Sequence, residues 1–103
     1  MLEDIRRRVE VGNYWFTIHG FERCAERGVA PEEVKDAINR SEIIEEYPED
    51  KYGPSCLILR KARNGKILHV HCSIDPVWII TAYDPTLNPE EWDSEFKRRK
   101  RKT

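Results

Sequence analysis

The stretch His19-Gly20-Phe21-Glu22-Arg23-Cys24-Ala25-Glu26-Arg27-Gly28 follows directly on a strand-like run, Tyr14-Trp15-Phe16-Thr17-Ile18. At the junction the pattern changes from aromatic and β-branched residues to helical spacing. Residues four apart share one face of a helix, so His19, Arg23 and Arg27 form one ridge. Phe21, Cys24, Ala25 and Gly28 supply an apolar stripe. One face can pack while the other presents an imidazole and two guanidiniums. Such a ridge suits a phosphate, because arginine forks onto anionic oxygens and histidine shuttles protons near neutral pH. The plain alternative is a solvated helix face on which Glu22 and Glu26 pair with the arginines.

Upstream, Leu2, Ile5 and Val9 repeat at helical spacing, with acids early and Arg6, Arg7 and Arg8 late, and Gly12-Asn13 stops the helix. Downstream, His19 opens the central helix and Gly28 is its left-handed cap. Pro31 starts a further helix with Glu32 and Glu33 at its positive end and Val34, Ala37 and Ile38 as its buried stripe. Glu42 to Tyr47 reads as a charged edge strand. Pro48 to Pro54 is a loop, with Tyr52 as a cover over the core or a ligand contact.

Ser55 to Arg63 and Lys66 to Ile74 flank Asn64-Gly65, a two-residue hairpin signal. That turn would pair Leu57 with Cys72, Leu59 with Val70 and Lys61 with Leu68 on the core side. Cys56 would then meet Ser73, Ile58 meet His71, Arg60 meet His69 and Ala62 meet Ile67 on the other side. This register gathers Arg60, His69 and His71 on one surface, and a bulge of one residue would change it. Val77 to Tyr83 is nearly all apolar and reads as a central strand covered on both faces. Asn88-Pro89-Glu90-Glu91 reads as a helix start, with Trp92 and Phe96 as an apolar pair one turn apart. The basic run 97–102, including Arg98 and Arg99, is either cation placement at a helix end or a phosphate-contacting tail.

The 103 residues suffice for one domain, taken as 1–103 with a basic tail at 97–103. Charged residues make up 36% and hydrophobic ones 39%, enough apolar content to fold. The 18 basic and 19 acidic side chains nearly cancel, so any nucleic-acid contact requires local clustering of positive charge. Cys24, Cys56 and Cys72 are widely spaced and odd in number, which argues against a disulfide framework or a zinc knuckle. No apolar run approaches the roughly 20 residues of a membrane helix. The N-terminus lacks a signal-peptide core. A cytoplasmic protein without membrane contact is expected.

The ordered set of motifs resembles a known family. A strand leads into His19-x-x-x-Arg23-x-x-x-Arg27-Gly28, then come a proline-started helix, a hairpin, Ile80-Thr81-Ala82-Tyr83-Asp84-Pro85, Trp92 and a basic end. This is similar to domain of unknown function 4258, over about residues 13–100, and that family resembles the RelE/BrnT-type toxins of toxin–antitoxin pairs. The resemblance implies an α+β fold: an antiparallel sheet of four to five strands with N-terminal helices and a C-terminal helix. It also implies a small ribonuclease (an mRNA interferase) that needs no cofactor. Its implied partners are RNA, ribosome-bound mRNA included, and a cognate antitoxin protein. A homodimer stays open. His19, Arg23 and Arg27 match the family's polar motif, and Thr81 and Tyr83 match its last strand. His69 and His71 are not part of that pattern.

Metal-free RNA cleavage uses the 2′-hydroxyl as internal nucleophile and needs a base, an acid and positive charge at the phosphorane. His19 is assigned proton transfer and Arg23 and Arg27 phosphate stabilisation, with Tyr83 as a further catalytic candidate. Arg60, His69, His71, Arg98 and Arg99 are the candidate RNA contacts. Two alternatives stand beside this reading. One is a binding module that grips RNA or an acidic chain without cutting it. The other is a metal site built from His69 and His71, with His19 as third ligand.

Overall fold

A helix leaves its first backbone N–H groups without internal partners. Thr17 supplies one partner here: its Oγ1 accepts from Gly20 N at 2.8 Å. That cap ends the preceding strand, so β1 is only Trp15–Phe16 and α2 runs Ile18–Glu26. The helix thus begins one residue before His19. Gly28, at φ +68°, takes the left-handed position after the last turn, as expected. The computed structural model describes residues 1–51, 53–61 and 65–100. The remaining elements are α1 Leu2–Glu10, α3 Pro31–Asn39, β2 Glu42–Tyr47, β3 Ser55–Lys61, β4 Ile67–Ser73 and β5 Trp78–Tyr83.

The fold is α+β, with the five strands in the order β1-β5-β4-β3-β2. The sheet is mixed rather than wholly antiparallel, because β1 runs parallel to β5. No hairpin joins these two strands, so no turn imposes an antiparallel pairing. Trp15 faces Trp78 across the pair, with ring centroids 5.6 Å apart. The three helices cover one face. Ile5 and Val9 from α1, Cys24 from α2 and Val34, Ala37 and Ile38 from α3 close over Cys56, Ile58, Val70, Cys72, Ile79 and Ala82. Arg6 clamps α1 to the end of α3 by donating to Ile38 O at 3.0 Å and Ser41 O at 2.6 Å.

The β3–β4 register corrects the expected one by a single residue. Cys56 pairs with Cys72, Leu57 with His71, Leu59 with His69, Arg60 with Leu68 and Lys61 with Ile67. The expected Asn64-Gly65 turn and the Ala62 pairing involve residues 62–64, which lie outside the described residues, as does Tyr52. A one-residue shift exchanges the partners on both faces. His69 and His71 therefore lie beside Leu57 and Leu59, on the sheet face away from the helices. Arg60 points to the opposite face and pairs with Asp36 of α3 at 3.1 Å. In β5 a bulge lies at Ile80: His71 pairs with Thr81, but Cys72 pairs with Ile79. The extra residue lets Ile79 and Ala82 both face the core while Thr81 and Tyr83 join the histidines.

The expected C-terminal helix is replaced by two 3-10 turns, Pro85–Leu87 and Pro89–Glu91, and a looped-back segment. Asp93 explains the break. Its Oδ1 accepts the backbone N–H groups of Glu95 (3.1 Å) and Lys97 (3.0 Å), an alternative to helical bonding. Phe96 adopts φ +60° at the bend, and Trp92 bridges back to Arg99. The segment lies across the second face of the sheet and leaves Trp92 only 1% exposed. Lys97 and Arg99 fasten it to Glu42 and Glu45 of β2. Among the described residues, no helix is long and apolar enough to cross a membrane.

Gly20 sets the spacing between α2 and β5. A Cβ there would lie 2.5 Å from Ile79 O and 2.8 Å from Ile80 O, both backbone atoms that cannot swing aside. Gly20→Ala is expected to cost about 1–3 kcal/mol, the usual range for overpacking, in denaturant unfolding. An unchanged midpoint would contradict this packing.

Candidate functional site

Arg27 is the residue through which α2 reaches the second face of the sheet. β1 ends early, so beyond Ile79 the outer edge of β5 has no strand beside it. Thr17 N donates to Ile79 O at 3.0 Å, and Arg27 serves a carbonyl further along the strand. Its Nη1 donates to Ala82 O at 2.9 Å and to Thr81 Oγ1 at 3.1 Å. Both Nη1 protons are thereby committed. Nη2 and Nε have no hydrogen-bond partner among the described residues. The guanidinium carbon sits 5.9 Å from the centre of the Tyr83 ring.

Tyr83 lies opposite His69 across the β4–β5 pair. Burial raises its phenol pKa, so the O–H stays a donor at neutral pH. Arg99 approaches the same ring from the C-terminal segment. Its Nε is shared by the two Glu45 oxygens at 3.2 Å each, and its guanidinium stacks 4.6 Å from the Trp92 ring centre. Arg27, Tyr83 and Arg99 line a cleft of about 440 Å³. Asp84 on its rim is occupied by Thr86, whose N–H and hydroxyl both donate to Oδ1. Tyr83 and Arg99 also line a second cleft of about 360 Å³, with Tyr47, Leu57, His71 and Thr81. Tyr47, tied to Glu45, has its phenol pushed up to about 12 by burial and that carboxylate.

His71 is held from the β2–β3 connection. Its Nε2 lies 2.9 Å from Ser55 Oγ and 3.1 Å from Asp50 Oδ2, and Ser55 Oγ donates to the same Asp50 oxygen at 2.5 Å. Ser55, His and Asp here do not form a nucleophile triad. That arrangement needs the carboxylate and the hydroxyl on opposite ring nitrogens, whereas both meet Nε2 here. Ser55 is also 1% exposed. The Ser55 hydrogen bond holds the Asp50 carboxyl below its ordinary pKa. Burial depresses the His71 pKa despite the opposing pull of Asp50.

The other expected site residues fall elsewhere. His19 and Arg23 remain exposed or half-buried on α2, where Arg23 Nε donates to His19 Nε2 at 3.2 Å and Nη1 pairs with Glu26 at 3.4 Å. Helical spacing places them on the ridge that ends at Arg27, and neither lines the two clefts. Arg60 belongs to the helix-covered face. Arg98 is exposed, and its carbonyl accepts from Asp93 N. His69 is fully buried: Nε2 lies 2.8 Å from Phe96 O, so it donates, and Nδ1 accepts from Tyr83 at 3.3 Å. Its ring also packs edge-on against Trp92, 4.5 Å between centres. Among the described residues, no group of three or more His, Cys, Asp or Glu is placed to hold a metal ion. Asp50, Ser55, Tyr47 and Glu45 are residues that sequence reasoning missed, since nothing local in a charged loop and edge strand marks what they will face.

A family model described as Domain of unknown function (DUF4258) matches residues 16–84, well over half of the chain, and the chain belongs to that family. The match spans Arg27, Asp50, His71 and Tyr83 and ends before the segment that carries Arg99. Comparison with curated proteins and with solved structures gives no match.

His69 makes stability depend on pH. Burial lowers its folded-state pKa below the unfolded value near about 6.5, and His71 shifts the same way. The unfolded chain therefore binds protons first. Stability is complete above about pH 6.5 and declines as pH falls toward the folded pKa values, by at most about 1.4 kcal/mol per pH unit for each histidine. His69→Gln is expected to reduce that slope between about pH 7 and 5 in denaturant titrations. A slope equal to wild type would show that His69 is not the group responsible.

Proposed function

We propose that this DUF4258 member is a toxin-like endoribonuclease that cleaves RNA without a metal ion, at the cleft shared by Arg27, Tyr83 and Arg99. The observation that carries the reading is the convergence of two arginines from distant parts of the chain on one tyrosine beside the sheet. Among the described residues Arg27 has two guanidinium nitrogens without partners, and Arg99, bound through Nε to Glu45, lies against Tyr47 and Tyr83. A planar cation suits the spread negative charge of a phosphorane, and a fixed one needs little reorganisation as that charge develops. Tyr83, whose hydroxyl proton goes to His69, sets the two arginines about its ring. The His19–Arg23 part of the ridge extends the positive surface along α2 and serves to bind the RNA backbone rather than to cut it. An antitoxin would neutralise such an enzyme by covering this cationic edge.

One observation favours a second reading, a non-catalytic RNA-binding module. Arg27 is already a structural strut for β5, and Arg99 anchors the C-terminal segment, so both would be present without any chemistry.

Purified protein incubated with RNA in chelator separates the two. Wild type is expected to cleave. Arg99→Ala and Tyr83→Phe should be slower, with the arginine variant down about a hundredfold to a thousandfold, as for loss of one oxyanion-stabilising donor. His19→Ala/Arg23→Ala should weaken binding more than turnover. Binding without cleavage by the wild type would assign the face to the second reading. Cleavage lost only in the α2 variant would return catalysis to that helix.

A further inference from the structure

The function proposed above still lacks a group to take the 2′-hydroxyl proton, and the second cleft contains one that is held in a single orientation. We propose that His71 Nδ1 is the proton acceptor of the reaction, and that Asp50 and Ser55 are positioning residues that keep the ring proton on Nε2. This step rests on the ribonuclease reading.

Proton accounting supports it. Ser55 has one hydroxyl proton, and Asp50 receives it. Nε2 therefore faces two acceptors, Ser55 Oγ and Asp50 Oδ2, and must be the protonated nitrogen. Nδ1 is left as the lone-pair nitrogen, and it makes no hydrogen bond among the described residues. The ring is further fixed by Tyr47, edge-on with centres 5.3 Å apart. Its cross-strand neighbour Thr81 is the residue that receives Arg27. The base thus lies one residue from the phosphate-binding arginine, and Tyr83 and Arg99 line the cleft that His71 shares.

The charged and titratable groups around His71 act consistently. Asp50, on the β2–β3 connection, favours the imidazolium and so strengthens the base. Burial opposes this and leaves the ring neutral near pH 7. Tyr47 and Tyr83 stay protonated, and Arg99 is paired with Glu45. In the step itself Nδ1 removes the 2′-hydroxyl proton as the O2′–P bond forms and the P–O5′ bond breaks. The departing 5′-oxygen takes a proton from solvent, and the imidazolium returns its own to solvent. The products are a 2′,3′-cyclic phosphate and a 5′-hydroxyl, with no oxidant or co-reactant needed.

The test combines nitrogen NMR of the imidazoles with cleavage of an oligoribonucleotide by wild type, Asp50→Asn and His71→Gln. His71 is expected to be the Nε2–H tautomer in wild type. In Asp50→Asn the side-chain amide can donate to Nε2, which moves the ring proton to Nδ1. Both variants should lose at least about a hundredfold in kcat with little change in KM. The acidic limb of the wild-type pH profile should follow the His71 titration seen by NMR. An Nδ1–H tautomer in wild type overturns the proposal without any cleavage assay. Wild-type cleavage matched by His71→Gln overturns this step alone. A wild type that cuts no RNA overturns the proposed function and this step with it.

Discussion

The close approach of α2 to β5 at Gly20 is the constraint on which the rest of the structure depends. With no side chain at that position, the helix lies directly on the backbone of Ile79 and Ile80. It takes the place a longer β1 would have filled. The open carbonyls of β5 then need donors from the helix side, since an unsatisfied buried carbonyl costs about 1–3 kcal/mol. Thr17 and Arg27 provide them from the two ends of α2. The geometry that satisfies the strand edge also brings a guanidinium to the second face of the sheet. A larger residue at position 20 would push Arg27 away from Thr81 as well as loosen the core.

The second face is organised from the opposite end of the chain. Trp92 fills the space over His69, the imidazole bridges Tyr83 and the Phe96 carbonyl, and Lys97 and Arg99 bind acids of β2. Lys97 and Arg99, which look like part of a solvated tail in sequence, are therefore engaged in ion pairs with β2. The exposed pairs contribute little individually, roughly 0–1 kcal/mol, so the buried tryptophan and histidine hold the segment. The two neighbouring histidines of β4 have different positions: His69 is enclosed and structural, while His71 borders a cleft.

The helical half of the fold was legible where its signals are local, except that in the expected stripe of α2 only Cys24 is buried while Phe21, Ala25 and Gly28 are exposed. Helical periodicity placed Ile5, Val9, Val34, Ala37 and Ile38 in the core, and Pro31 and Gly28 marked helix ends. The sheet was less legible. Cys56, Leu57, Ile58 and Leu59 are all buried, so β3 shows no alternation from which to fix a register, and the turn residues were the only guide. The resulting shift of one residue placed Arg60 with the histidines instead of with Asp36. The C-terminal helix failed for a related reason: Pro89 opens only a short 3-10 turn, the Asn88 side chain makes no capping bond, and Asp93 offers the backbone a competing set of bonds. Of the candidate site, Arg27, Tyr83, His71 and Arg99 are among the residues that the sequence singles out. Their grouping is not legible there, nor are Asp50 and Ser55, because the contacts cross the sheet.

The proposed RNA contact lies on the second face of the sheet around Tyr83, not on the outer surface of α2. Amide chemical-shift mapping with an oligoribonucleotide blocked at its 2′-hydroxyls tests it most directly, since such an RNA can bind but cannot be cut. Perturbations are expected at His71, Thr81 to Tyr83 and Arg99, with weaker ones along His19 and Arg23. Perturbations confined to α2 and the Trp15–Trp78 pair, with β4 and the C-terminal segment unmoved, would contradict it.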